Sequence, residues 1–346
     1  MVFESVLQPQ LAERKPLDSF VLSFVMSTVS IMLALIVFTP FLQVNVILGV
    51  YALFFIGFMV FTSQQNYDRK SLLLMLAAFI FVTAFFLSLI SSKTMGINYA
   101  PYGSSVSLAM IFFTALGLAP FMVRILYVEE RKDITDLHES FLVRHKEVLL
   151  VYACLFLGAV LAYSLWFTLL PQPIVNSVFT EQIATLNWVS GVRSGLFFGV
   201  SSTQSLGFKI IVLNNFKVLA VATLLSFALG SGAIFILTWN ASIIAVAVGA
   251  SARNLISYYA GLGSLAGVAA YFHALPLSLS QLIFHGSLEI VAYFIGGLAG
   301  GILSVAITHH QGKATQLVIK DSAMLLGVAA GLIILAGAVE VLIMGI

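Results

Sequence analysis

Residues 277–307 read LSLSQLIFHGSLEIVAYFIGGLAGGILSVAI, and this stretch decides the class of fold. Its 31 residues contain a single charged side chain, Glu289. A helix needs about 20 predominantly apolar residues to cross the hydrocarbon core of a bilayer, because it rises about 1.5 Å per residue. The stretch therefore predicts a transmembrane helix rather than a helix of a soluble domain.

The composition of the whole chain is also that of a membrane protein. Hydrophobic residues make up 60% of the 346 positions and charged residues 9%, whereas soluble domains have about 45–50% and about 25%. The 16 Lys and Arg residues nearly balance 14 Asp and Glu residues, so a polybasic nucleic-acid binder is excluded. The single cysteine, Cys154, rules out a disulfide framework and a cysteine-based zinc site.

Eight further apolar stretches have about the length of a membrane span. They cover roughly residues 20–39, 41–62, 71–91, 104–123, 148–170, 210–229, 233–252 and 323–343. We therefore predict an all-α, polytopic integral membrane bundle of about nine transmembrane helices in a lipid bilayer. The connector 255–272 could in addition hold a short re-entrant hairpin, which would not change the number of full crossings.

The chain divides by composition into three parts: residues 1–127 with four spans, the charged block 128–147, and residues 148–346 with five spans. The block holds 10 of the 30 charged residues. Its apolar residues recur at helical spacing, which predicts an amphipathic helix on the cytoplasmic membrane surface. A solvated helical linker is an equally good interpretation. The apolar residues are Ile134, Leu137, Phe141 and Leu142.

A second amphipathic segment lies within residues 171–207, the least apolar stretch of the second half. Five apolar residues at steps of three and four predict a helix that lies in the outer membrane interface. These are Val175, Phe179, Ile183, Leu186 and Val189.

The distribution of Lys and Arg predicts the orientation, because cytoplasmic loops are enriched in them. With a cytoplasmic N-terminus, eleven of these residues fall on the cytoplasmic side and five outside. We therefore expect a multi-pass protein of the cell membrane with its N-terminus in the cytoplasm and its C-terminus outside. A membrane-buried hairpin at Gly230 would reverse everything that follows it.

Polar residues inside the spans are the candidate functional residues, because each costs free energy on insertion. Four of them follow one another at steps of four on the long helix: Gln281, His285, Glu289 and Tyr293. Asn214, Asn215 and Lys217 lie at the start of the sixth span, and Asn240 is a further buried polar site. Lys217 is the best partner for Glu289, but an ordinary anchor that reaches the membrane interface is an equally good interpretation. Glu340 is predicted to reach the outer interface.

This buried polar network has two interpretations. It could act as a proton relay or as part of a metal site, although one His and one Glu fall short of the three or four ligands that zinc requires. Alternatively it is a polar clamp that holds the helices together. The glycines Gly296, Gly297, Gly300 and Gly301 continue the helix as a small-residue edge for helix packing.

Motifs of soluble and membrane enzymes are missing from the sequence. There is no HExxH, no Walker A loop and no GxSxG; around Ser264, Leu262 and Ala266 replace the two glycines of that last motif. We therefore predict no catalytic residue, no metal site and no cofactor.

Three elements of the second half resemble the stage II sporulation protein M (SpoIIM) family. They are Asn214-Asn215-Phe-Lys217, Trp239-Asn240-Ala-Ser, and His285-Gly286-Ser-Leu-Glu289, in the order of the family. The resemblance covers about residues 148–346, and the additional N-terminal spans resemble the longer archaeal members. In spore formers the family is implied to work in engulfment with peptidoglycan-degrading partners. An archaeal setting offers no peptidoglycan, so the resemblance implies the fold and the polar positions rather than that role.

The leading hypothesis is a non-enzymatic scaffold or assembly component of an envelope complex, with a second copy or envelope proteins as partners and no nucleic acid. A transporter that uses the buried polar residues is the first alternative. A metal-dependent membrane hydrolase is the second.

Overall fold

The computed structural model describes residues 16–38, 103–135, 141–193, 204–260, 264–309 and 313–344. Within these ranges the regular structure is entirely helical. The helices are α1 (Pro16–Phe38), α2 (Gly103–Thr135), α3 (Phe141–Arg144), α4 (Lys146–Leu169), α5 (Gln172–Val178), α6 (Thr180–Arg193), α7 (Gln204–Leu229), α8 (Ala233–Ala260), α9 (Ser264–His309) and α10 (Lys313–Met344).

Seven of the described helices are long and apolar enough to cross a membrane. Each corresponds to one predicted span, so the all-α membrane bundle and these seven spans are confirmed. The predicted spans 41–62 and 71–91 lie outside the described residues, so the total of nine stays a prediction. The seven segments are Pro16–Phe38, Gly103–Lys132, Lys146–Leu169, Ile211–Leu229, Ala233–Tyr259, Gly286–Ile307 and Thr315–Glu340.

A tight turn separates α7 from α8. Gly230 has a φ of 69°, a left-handed conformation in which side chains other than that of glycine are strained. The Ser226 hydroxyl donates a hydrogen bond to the Gly230 carbonyl at 2.8 Å. The turn at Gly230 therefore connects two helices that are each long enough to span the membrane.

The N-terminal helices and the second half of the chain share one hydrophobic core. Gly158 of α4 lies directly against the α1 backbone at Phe20 and Phe24. Further along the same pair of helices, the Trp166 indole donates to the Thr28 hydroxyl at 3.2 Å. The helices α1 and α4 therefore run parallel in close contact, and the compositional boundary before residue 148 is not a boundary in the packing.

The described parts of the charged block 128–147 belong to α2, α3 and α4. Residues 136–140 lie outside the described part, so one amphipathic helix over the whole block stays a prediction. Residues 128–135 are the last turns of α2, and residues 146–147 begin α4. The run of charges does not end α2, because acidic and basic side chains are compatible with a helix. The side chains of Phe141 and Leu142 also lie outside the described part.

The described part of residues 171–207 before residue 194 forms two short helices, α5 and α6, where one interfacial helix was predicted. The break falls at Phe179, whose ring packs edge-on against the rings of Tyr163 and Phe167. Val175 and Phe179 are fully buried, so the predicted apolar stripe faces the protein core at this point. Residues 194–203 and the side chain of Val189 lie outside the described part.

Candidate functional site

The first buried polar cluster joins α7 to α9. The Asn215 amide group donates a hydrogen bond to Glu289 Oε1. The Tyr293 hydroxyl donates to Asn215 Oδ1 at 2.8 Å. Glu289 and Tyr293 meet the same asparagine because residues four apart lie on one helix face. We call these three residues the Asn215 cluster.

A fourth polar residue, Glu340 of α10, belongs to the same region. It is 4% exposed, so its side chain lies in the protein interior. Its position near the outer membrane interface stays a prediction. Both Glu340 and Glu289 lie near enough to the Tyr293 hydroxyl to interact with it electrostatically. Three helices therefore bring polar side chains to one place inside the bundle.

Two residues of the predicted network are placed elsewhere. Asn214 and Lys217 are exposed on α7, and it is the Asn215 amide that bonds Glu289 where Lys217 was expected. The reason is geometric, because successive residues of a helix are turned by about 100° about its axis. When Asn215 faces α9, Asn214 and Lys217 therefore point away from it.

Of the remaining predicted polar residues, the structure describes the side chain of Asn240 alone, and its printed hydrogen bond lies within its own helix. The Asn240 side chain is half-buried and donates to the carbonyl of Ile236 on its own helix at 2.8 Å. Gln281 and His285 lie on α9, and their side chains are outside the described part of the structure.

The four glycines of α9 lie where other helices approach closely. A Cβ atom at Gly296 or Gly300 would overlap α7, at Leu219 and at the carbonyl of Thr223. Those at Gly297 and Gly301 would approach α8 at Ala233 and α2 at Leu126. The small-residue edge therefore packs three different helices against α9.

A second buried polar cluster lies at the opposite end of the bundle. His145 Nδ1 and Glu129 Oε2 are 2.5 Å apart, and both side chains are fully buried. The Lys132 ammonium is 2.6 Å from Glu129 Oε1 and 3.7 Å from Glu147 Oε2. Together these four residues form the Glu129 cluster, which joins the end of α2 to the beginning of α4.

An ion pair beside this cluster attaches α10. Arg144 Nη1 donates to Asp321 Oδ2 at 2.6 Å, and both residues are buried. Sequence reasoning missed these residues because a dense block of charge was interpreted as a surface. One signal was available, since Glu129 follows the apolar run of α2 without a turn or a breaker.

The guanidinium of Arg253 closes the C-terminal end of α4. It donates to the Phe167 carbonyl at 2.8 Å, to the Leu170 carbonyl, and to Gln172 Oε1 at 2.5 Å. It also lies over the Phe167 ring, 5.4 Å from the centroid. The last carbonyls of a helix have no hydrogen-bond donor within the helix. The guanidinium of Arg253 provides donors for the Phe167 and Leu170 carbonyls at once, because its N–H groups point in several fixed directions.

The described contacts of these clusters are ion pairs and hydrogen bonds. Within the described residues, no group of three His, Cys, Asp or Glu side chains is close enough to hold a metal ion. The Asn215 cluster joins helices that are distant in the sequence, and the Glu129 cluster joins the end of α2 to the beginning of α4.

Comparison with known proteins gives one match. A family model described as Stage II sporulation protein M matches residues 148–343. No curated protein and no solved structure matches the chain. The matched region contains the Asn215 cluster, Arg253 and Asp321, whereas α1, α2 and the Glu129–His145 pair lie before it.

Proposed function

The chain belongs to the stage II sporulation protein M family, and on that premise we propose that it is a non-enzymatic scaffold or assembly component of an envelope complex. Its multi-span helical fold places it in a membrane. In this proposal the membrane is the cell membrane, and the partners are other envelope proteins.

The observation that carries the proposal is the way in which the buried polar side chains are used. In the Asn215 cluster, the amide of Asn215 bonds both Glu289 and Tyr293 and so links α7 to α9. Groups bound to one another in this way rigidify a bundle and define one arrangement of its helices. A rigid set of helices suits a protein whose task is to position others.

Among the described residues, α5 and α6 offer a surface to partners at the end of the bundle that holds Arg253. Trp188 is 52% exposed there, on a segment that Arg253 anchors through Gln172. Exposed tryptophan on an anchored segment is typical of protein interfaces, where aromatic side chains carry much of the binding energy.

We also propose that this end faces outward, with the N-terminus in the cytoplasm. The excess of Lys and Arg on the other side supports this orientation. The test uses single cysteines in a Cys154→Ser background, at Trp188 and at the exposed Lys146. A membrane-impermeant maleimide added to intact cells should label Trp188→Cys and spare Lys146→Cys, and the reverse pattern would overturn the orientation.

The scaffold proposal is tested by photo-crosslinking in living cells. A photoreactive amino acid at Trp188 should capture one identified envelope protein reproducibly. The matched control is Leu157, which is exposed in the middle of α4 and should capture none. If Trp188 and further positions on α5 and α6 capture no second protein species, the scaffold proposal is wrong.

One observation favours a second candidate, a transporter. The carboxylates of Glu289 and Glu340 both lie near Tyr293 inside the bundle, and ionisable residues within spans often mark transport pathways. Uptake of protons or cations into vesicles that contain the purified protein, abolished in Glu289→Gln, would favour this candidate. Equal uptake in protein-free vesicles would exclude it for the ions tested.

A further inference from the structure

The hydroxyl of Ser23, in α1, is buried and unpaired within the part of the chain that the structure describes. Ser23 is fully buried, and no described atom lies within hydrogen-bond distance of its side-chain oxygen. Ser30 on the same helix shows the common alternative, because its hydroxyl donates to the Met26 carbonyl one turn back at 2.7 Å. Nearly all buried polar groups in proteins have a partner, since an unpaired one gives up its hydrogen bonds to water. The Ser23 hydroxyl therefore needs a partner other than the described protein atoms.

Ser23 lines a small cavity inside the bundle. The cavity has a volume of about 10 Å³, which is close to the space that one water molecule occupies. Its lining comes from α1, α2, α4 and α8, and includes Ser23, Leu118, Tyr152 and Thr238. All of the lining residues are buried. The cavity therefore belongs to the interior of the protein and not to its surface.

The chemistry of the lining is neutral. Three of its side chains carry a hydroxyl group, those of Ser23, Tyr152 and Thr238, and the others are apolar. A hydroxyl can both donate and accept a hydrogen bond. A bound cation such as Ca²⁺ needs six or more oxygen ligands, with carboxylates among them, and this lining has no carboxylate. A buried water needs only two to four polar partners, so the lining suits water.

The cavity lies at a depth where bulk water is absent. Ser23 and Thr238 both belong to segments that are long and apolar enough to cross a membrane. Polar groups inside a bilayer must be satisfied within the protein, because hydrocarbon offers no hydrogen-bond partner. A water molecule at this depth must be bound by the protein as part of its structure.

We propose that this cavity is a binding site for one ordered water molecule, held by the hydroxyls of Ser23 and Thr238. The water bridges α1 and α8, and Tyr152 of α4 supplies a third hydroxyl to the same lining. Because α1 lies before the family match and α8 lies within it, the water connects the two parts of the chain. This inference goes beyond the proposed function and does not depend on it.

A shared water makes its two partners depend on each other. Once Ser23 has lost its hydroxyl, the water keeps fewer hydrogen bonds and is held less tightly. Loss of the Thr238 hydroxyl then removes less than it does from the native protein. The effects of the two changes on stability should therefore be smaller together than their product, as for residues in one hydrogen-bond network.

Structure determination of the purified full-length protein tests the site directly. At a resolution that shows other buried waters, we expect a density peak about 2.7–3.2 Å from both Ser23 Oγ and Thr238 Oγ1. The peak should be missing in the double variant Ser23→Ala/Thr238→Val. An empty cavity in the native protein, or a Ser23 hydroxyl that bonds the Ser19 carbonyl instead, would overturn the proposal.

A double-mutant cycle in detergent tests the bridge. Ser23→Ala, Thr238→Val and their combination are compared by the equilibrium constant of unfolding. We expect the double variant to unfold less readily than the product of the single effects predicts, by about twofold to a hundredfold. Independent effects, in which the product is obeyed, would show that no water links the two hydroxyls.

Ser242 provides the matched control for this cycle. It is a buried residue one turn after Thr238 on α8, but its hydroxyl donates to the Trp239 carbonyl of its own helix at 2.7 Å. The effects of Ser242→Ala and Ser23→Ala should therefore multiply without coupling. Coupling as strong as that between Ser23 and Thr238 would show a general response of the helices and would contradict a specific water bridge.

Discussion

The carboxylate of Glu129 and the imidazole of His145 are both completely buried and lie 2.5 Å apart. Glu129 lies in the last turn of the candidate span Gly103–Lys132 of α2, and His145 immediately precedes α4. The pair therefore connects a helix outside the family match to one inside it. Charge placed at this depth costs desolvation free energy, which is recovered only while both partners are present.

Removing one partner of this pair should be strongly destabilising. We expect Glu129→Ala to lower the free energy of unfolding by about 3–5 kcal/mol, because it leaves a buried imidazole and the Lys132 ammonium without that carboxylate. Unfolding of the purified protein in mild detergent by added denaturing detergent measures the effect.

Glu147 provides the matched control for this change. It is another carboxylate near Lys132, but its side chain is 50% exposed and 3.7 Å away. Glu147→Ala should cost less than about 1 kcal/mol, as expected for an exposed ion pair. If Glu129→Ala and Glu147→Ala lower the free energy of unfolding by similar amounts, the buried pair stabilises the protein no more than the exposed one does.

The family region should not fold without α1 and α2. Gly158 of α4 lies against the backbone of α1, and Leu126 of α2 lies against Gly301 of α9. A fragment 148–346 would expose both surfaces, so we expect it to aggregate or be degraded when expressed alone. Co-expression with a fragment 1–147 should restore a monodisperse peak in gel filtration. A stable, monodisperse 148–346 fragment by itself would contradict this expectation.

The Asn215 cluster should contribute to stability through the geometry of its hydrogen bonds. Glu289→Ala leaves the Asn215 amide without that acceptor, which should cost about 1–3 kcal/mol and lower the folded yield. Glu289→Gln retains a carbonyl oxygen for the same bond and should lose less. The exposed Lys217 serves as the control, because Lys217→Ala removes no bond inside the chain. Folded yield and unfolding midpoint are the measurements; equal values for Glu289→Ala and Lys217→Ala would contradict the prediction.

Much of the fold could be predicted from sequence because the hydrophobic effect acts over whole segments. A run such as residues 323–343 is long and apolar enough to cross a membrane as one helix, and α10 confirms the helix. The sequence also predicts that Glu289 and Tyr293 share one face of their helix, because helical periodicity alone places residues four apart on one face.

The partners in the site could not be predicted in the same way, because they depend on how one helix is turned relative to another. Asn214, Asn215 and Lys217 are adjacent in sequence, and periodicity does not say which of them faces α9. The contacts of Gly296 and Gly300 with α7 decide it. Glu129 was missed for a different reason, since the density of charge around it is also typical of a solvated surface.

The glycines of α9 and α10 allow a final test in which the same substitution should have opposite effects. A Cβ atom at Gly300 would overlap the carbonyl of Thr223, whereas one at Gly331 of α10 would meet no atom within 4 Å. Backbone cannot yield as a flexible side chain does, so Gly300→Ala should destabilise the protein by about 1–3 kcal/mol. Gly331→Ala should instead be neutral or stabilising by up to about 1 kcal/mol, since alanine is the better helix former. Unfolding midpoints of the two variants, measured in the same detergent, separate the contributions of close packing and helix propensity, and an unchanged midpoint for Gly300→Ala would contradict the close contact of α7 with α9.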